Sequence, residues 1–157
     1  MRRLYLVQHG EAVGKDIDPE RPLSERGHEE VRRVSSFLRR AGVCVERVLH
    51  SGKRRAEQTA EVLAEAVLAS GSAEMRHGML PKDSADVVAG EIAGWSGDIM
   101  LVGHMPFMAR LASVLLTGDA VTLTVSFRPG SVVCLEEGDD EAWDIAWMIR
   151  PELIAGV

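Results

Sequence analysis

Three short apolar runs, each breaking off at or beside a histidine, constrain this chain more than any other feature. Residues 4–7 lead into Gln8-His9-Gly10, residues 45–49 into His50-Ser51-Gly52, and residues 99–102 into Gly103-His104-Met105-Pro106. Runs of this length that end near glycine read as buried strands feeding loops. Helical patterns separate them. Ser24 stands ahead of Glu25, Glu29 and Glu30 as an N-cap with acidic first turns. Val31, Val34, Leu38 and Ala41 then continue at helical spacing towards a stop at Gly42. Residues 53–69 place Ala56, Thr59, Ala60, Leu63 and Val67 on one stripe. Helices are also predicted over 84–93 and 107–116, with Pro106 at the first helical position of the latter. Residues 70–82 carry little pattern. The tail reads as strands at 121–127, 131–136 and 143–149, the first two parted by Pro129-Gly130. This order predicts an α/β fold, a three-layer domain whose mostly parallel central sheet is flanked by helices. Ligands in such sheets lie beyond the carboxyl ends of the strands, where the histidines stand.

The length, 157 residues, suits a single domain over 1–157, and no repeat or linker divides it. With 18 Lys and Arg against 24 Asp and Glu the net charge is −6, which argues against nucleic acid or an anionic membrane as partner. Any anion must therefore be met by a local cluster of cations. Cys44 and Cys134 stand among apolar residues and are expected to be reduced core side chains. The amino-terminal apolar run stops at Gln8, far short of a signal-peptide core, so the cytoplasm is the expected location. No metal is expected, since His50 and His77 lack partners at ligand spacing. Nor is a cofactor, since neither a P-loop nor a glycine-rich nucleotide fingerprint is present. His9-Gly10-Glu11 lacks the downstream cysteine pair that a zinc deaminase would need.

Alone, His9 or His104 could be an ordinary structural histidine on a loop. Together they gain meaning from the segment Ser51-Gly52-Lys53-Arg54-Arg55, which brings cations to the start of a helix. Helix N–H groups and guanidinium donors make an anion pocket. Two imidazoles and an arginine around one oxyanion point to phosphoryl transfer, in which positioning and charge stabilisation dominate.

The motifs resemble those of the histidine phosphatase superfamily, with its phosphoglycerate mutase-like fold. Gln8-His9-Gly10-Glu11 is similar to the family's first element, normally Arg-His-Gly and an acidic residue. Ser51 through Thr59 is similar to the second, which puts the family's arginine at Arg55, and Gly103-His104-Met105-Pro106 is similar to the third. Arg21-Pro22-Leu23-Ser24 and the small size resemble the SixA-type phosphohistidine phosphatases. The resemblance implies that His9 is the nucleophile and forms a phosphohistidine intermediate that water hydrolyses. It implies that Arg55 binds the phosphoryl oxygens and that His104 donates to an oxygen gaining charge. Arg21 is a candidate second cation, or else a salt-bridge partner of Asp16 or Asp18. Glu11 is a candidate for orienting an arginine or capping a helix. Arg54 reads as solvated. The implied partner is a phosphohistidine-bearing protein, such as a histidine phosphotransfer domain, or a small phosphorylated substrate.

Gln8 departs from the family pattern. It is neutral and lacks the arginine fork, so binding of phosphate weaker by about 1.5–3 kcal/mol is expected. A neutral neighbour also removes like-charge repulsion, so His9 should titrate higher than it would beside an arginine. The second departure lies at Met79-Leu80-Pro81-Lys82-Asp83, where larger family members that cleave esters carry an acidic proton donor. Asp83 and Asp86 are candidate substitutes. Loss of such a donor costs typically ~10²–10⁴-fold and matters least when the leaving group is an imidazole. Two rival readings remain: a small-molecule phosphomonoesterase, and a weakly active phospho-binding module marked by Gln8.

Overall fold

A computed structural model describes residues 1–155. Their strands are β1 (Arg2–Gln8), β2 (Arg47–His50), β3 (Glu74–Met75), β4 (Ile99–Gly103), β5 (Val132–Glu137) and β6 (Trp143–Ile149). The helices are α1 (Glu25–Arg40), α2 (Arg54–Val67), α3 (Ala85–Ile92) and α4 (Phe107–Thr117), followed by a 3₁₀ turn at Pro151–Ile154. The sheet order is β3-β2-β4-β1-β5-β6. The first four strands run parallel, and β5 and β6 continue the sheet antiparallel.

Strands covered on both faces need apolar residues at successive positions, because neighbouring side chains point to opposite faces. In β1, Leu4 and Leu6 enter one cluster with Leu49, Leu101, Val88, Phe107 and Leu111 under α3 and α4. Tyr5 and Val7 enter the other, with Val48, Val102, Val34, Leu38, Ala60 and Leu63 under α1 and α2. The result is the three-layer α/β arrangement expected from the pattern.

Ser24 caps α1 as expected, its hydroxyl accepting from the Gly27 N–H at 3.0 Å. Three expectations need correction. Residues 121–127 form no strand and join no ladder; β5, which follows them, is paired by β1 and β6. That segment instead crosses the α4 side as a loop, with Val125 and Phe127 buried and the Leu123 N–H donating to Ser113 Oγ at 2.9 Å. Cys44 is exposed whereas Cys134 is buried. Cys44 lies between α1 and β2, where the chain turns the adjacent Val45 inward and leaves the thiol outside. Pro106 takes the N-cap position, one residue ahead of α4. The two-residue β3 within 70–82 was too short to leave a period in the sequence.

Candidate active site

The register of the sheet brings the two candidate histidines together. Gln8 pairs with Gly103 across β1 and β4, so the residues that follow, His9 and His104, leave adjacent parallel strands side by side. Their ring centroids are 5.0 Å apart and their planes are inclined at 54°. The His9 N–H extends the ladder by donating to the Gly103 carbonyl at 3.0 Å. On the far side of β4, β2 delivers Ser51, whose Oγ lies 2.6 Å from His104 Nε2.

His9 Nδ1 lies 2.7 Å from the Gly10 carbonyl oxygen. A carbonyl can only accept, so Nδ1 carries the hydrogen and Nε2 keeps its lone pair. Burial is the largest influence on this imidazole and holds its pKa down at about 4. The Gly10 contact pulls the pKa up, whereas the charges of Arg55 and Arg21 push it further down. His104 is held at about 3, first by burial and then by His9, Arg55, Lys53 and Arg21. Both rings are therefore neutral at physiological pH. Burial outweighs the neighbouring charges at His9.

Thr59 ties the arginine to the histidine loop. Its Oγ1 accepts from the Gly10 N–H at 3.0 Å and donates to the Arg55 carbonyl at 2.8 Å. Gln58 Oε1 accepts from the Leu23 N–H at 2.7 Å and ties the preceding loop to the same helix. Close packing completes the clamp. A Cβ on Gly10 would sit 2.7 Å from Val31 Cγ2, and one on Gly27 would sit 2.1 Å from the Glu11 carbonyl oxygen. Sequence reasoning had given no role to Ser51, Gln58 or Thr59. The i, i+4 spacing of Arg55 and Thr59 was the available signal, since a threonine hydroxyl can bond the carbonyl one turn back.

Among the described residues three buried side-chain polar atoms lack a hydrogen-bond partner: Gln8 Oε1, Arg55 Nε and His104 Nδ1. Such atoms are rare in folded proteins, and all three belong to residues singled out in the sequence. Arg21 and Arg55, whose charges act on both histidines, line a cavity of about 690 Å³. Arg21 has φ of 49° and donates from Nε to the Val13 carbonyl at 3.1 Å. Its side chain forms no ion pair with Asp16 or Asp18 among the described residues. Glu11 is turned towards α1, where its Oε1 accepts from Ser24 Oγ at 2.9 Å and supports the helix cap. Arg54 is exposed and paired with Glu57 at 2.6 Å. Asp83 accepts from the Leu80 N–H at 2.8 Å, which closes a turn ahead of α3. No cluster of His, Cys, Asp and Glu suited to a metal ion is found among the described residues. No helix there is long and apolar enough to cross a membrane.

The family profile of the histidine phosphatase superfamily (branch 1) matches residues 4–80. The phosphohistidine phosphatase SixA of Escherichia coli is 26% identical over 154 residues, covering 95% of this chain and 94% of its own. An uncharacterized protein of Picosynechococcus sp. is 30% identical over 123 residues, covering 74% of each chain. The solved structure of the protein histidine phosphatase SixA complexed with tungstate superposes with a TM-score of 0.83 at 24% identity, covering 96% of this chain and 98% of that one. With that fold, and with the family's elements meeting at one sheet edge, the chain belongs to the histidine phosphatase superfamily, branch 1, and is a hydrolase of it.

Proposed function

We propose that the protein hydrolyses phosphohistidine through a covalent intermediate on His9, without a metal ion. The observation that carries the reading is the His9 imidazole, neutral and hydrogen-bonded through Nδ1 to the Gly10 carbonyl at 2.7 Å, so that Nε2 is free to attack. Nε2 forms a bond to phosphorus as the N–P bond of the substrate breaks. A substrate imidazole protonated on its other nitrogen leaves as neutral imidazole and needs no proton from the enzyme. Water then attacks the phosphorus on His9, which releases phosphate and restores the ring.

Arg55 and His104 supply donors to the transferring oxygens, and their unpartnered Nε and Nδ1 are suited to this. Ser51 Oγ accepts from the Lys53 N–H at 3.3 Å, which leaves its own hydrogen free to donate to His104 Nε2. With the Ser51 hydrogen on Nε2, the His104 proton lies on Nδ1 and a neutral ring still donates. Gln8 contributes through its amide. Rotating that group about its terminal bond exchanges the buried oxygen for a donor. Arg21 adds positive charge from the cavity wall, and Glu11 acts through the cap of α1.

SixA, to which the chain is similar over nearly its whole length, bears the name of a phosphohistidine phosphatase. Asp83, one of the two acidic candidates for the ester-cleaving donor, is engaged with the Leu80 backbone, which favours an N–P over an alkyl ester substrate. The test compares phosphohistidine with p-nitrophenyl phosphate and sugar phosphates in EDTA. Phosphohistidine should have the higher kcat/KM, with activity unchanged by EDTA. A preference for sugar phosphates favours the esterase, and activity restored only by a metal overturns the mechanism. An acid limb from His9 is expected near pH 4, because protonation below that value removes the attacking lone pair.

Gln8→Arg should tighten vanadate by about tenfold or more, since a hydrogen bond to a charged group contributes ~1.5–3 kcal/mol. It should also lower the acid limb, because an added cation disfavours the imidazolium. Unchanged vanadate inhibition and an unchanged pH profile would place Gln8 outside the phosphate site.

A further inference from the structure

The cavity lined by Arg21 and Arg55, whose charges act on both histidines, has a character unlike the rest of the chain. Its wall carries Lys15, Arg21, Lys53, Arg54 and Arg55 against the two carboxylates Glu20 and Glu57, in a protein whose net charge is −6. Phosphate alone does not account for so many cations. Arg21 and Arg55 already serve the reacting group, and Arg54 is partly neutralised by Glu57. Lys15 and Lys53 are exposed, and among the described residues their ammonium groups have neither an ion-pair nor a hydrogen-bond partner. The two lysines come from different segments, the loop ahead of α1 and the start of α2, so the patch follows from the fold rather than from one run of sequence.

Exposed apolar residues belong to, or pack against, the segments that form this wall. Ile17, 74% exposed, lies in sequence between the wall residues Lys15 and Pro19. Met75, 52% exposed, packs against Gly52 of the cavity wall, where an added Cβ would lie 3.0 Å from its Cγ. Exposed apolar side chains beside unpaired cations suit a protein surface better than a small phosphorylated metabolite, which would leave them uncovered. The low total charge argues against a long polyanion such as nucleic acid, which would meet repulsion beyond the patch.

We propose that this rim docks a protein substrate whose phosphorylated histidine is flanked by acidic residues. Lys15, Lys53 and Arg54 meet the carboxylates, and Ile17 and Met75 meet apolar neighbours. The proposal rests on the phosphohistidine reading of the site and names the substrate surface that site accepts. Charge complementarity of this kind raises the rate of productive encounter and falls with ionic strength.

The experiment uses two short peptides of equal length and apolar content, each carrying one histidine phosphorylated with phosphoramidate. One has Asp and Glu around the histidine, the other Lys and Arg. Binding is measured to the full-length His9→Ala protein, which reads docking without turnover, and hydrolysis is measured with wild type. The acidic peptide should bind about tenfold tighter or more at low salt, and the ratio should fall to within about twofold at ~0.5 M salt. Adding Lys15→Glu, Lys53→Glu and Arg54→Glu should reverse the order of the two peptides. Using a ratio removes any general loss of folded protein in the variant. Equal affinities, or a preference that survives high salt, overturn the docking surface. Failure of wild type to hydrolyse either peptide overturns the phosphohistidine reading, while the affinity ratio still decides whether the rim selects acidic partners.

Discussion

His9→Ala is expected to lower kcat/KM by at least about 10⁴-fold, the largest effect of any single substitution in this protein. Nothing else in the cluster can take its place. His104 Nε2 is already engaged with Ser51 Oγ at 2.6 Å. The loss should be chemical rather than structural, because the backbone bonds of residue 9 to Gly103 and Gly130 do not involve the imidazole. Circular dichroism should therefore be unchanged. Rapid quenching at alkaline pH should show a phosphorylated wild type and an unlabelled variant. Turnover within tenfold of wild type, or label that persists in the variant, would remove His9 as nucleophile.

Arg55→Ala should follow, with a loss of about 10²–10⁴-fold in turnover, the range for removing a fixed donor from developing charge. Arg55→Lys should recover only part of it, because an ammonium lacks the planar fork that meets two oxygens together. The substitution also carries a signature in pH. The guanidinium lowers the pKa of both His9 and His104, so its removal lets both titrate higher. The acid limb of the alanine variant should therefore move to higher pH, and that of the lysine variant should move less. The bond from Thr59 to the Arg55 carbonyl uses the backbone and survives either change. A lysine variant indistinguishable from wild type in rate and pH profile would mean that Arg55 does not hold the phosphoryl group.

His9, Arg55 and His104 were legible as candidates because each follows a strand or opens a helix, and apolar runs mark strands well. The parallel order of the inner sheet was legible for the same reason: helices alternate with those runs. Residues 121–127 misled because Val121, Leu123, Val125 and Phe127 alternate as a strand does, while alternation alone cannot say whether a segment joins the sheet or packs on a helix. Cys44 misled because its apolar neighbours Val43 and Val45 do not reveal which way a loop residue turns. The work of Ser51, Gln58 and Thr59 was hidden for a different reason. Their partners lie on other segments, and only the fold sets those distances. Burial of His9 was likewise beyond the sequence, although it is the largest influence on that ring.

The position of β4 has a consequence for how the protein comes into being. It lies between β1 and β2, although it follows both in the chain. Until residues 99–103 are made, the strands that present His9 and Ser51 share no ladder, and His104 has not yet been added. A nascent chain that has emerged only through α2 already carries His9 and Arg55, but the sheet that sets them in register is missing its middle. Catalytic competence is thus a late event in synthesis, reached by insertion of a strand rather than by growth at an edge. Activity in this protein therefore doubles as a report that translation has passed the third apolar run.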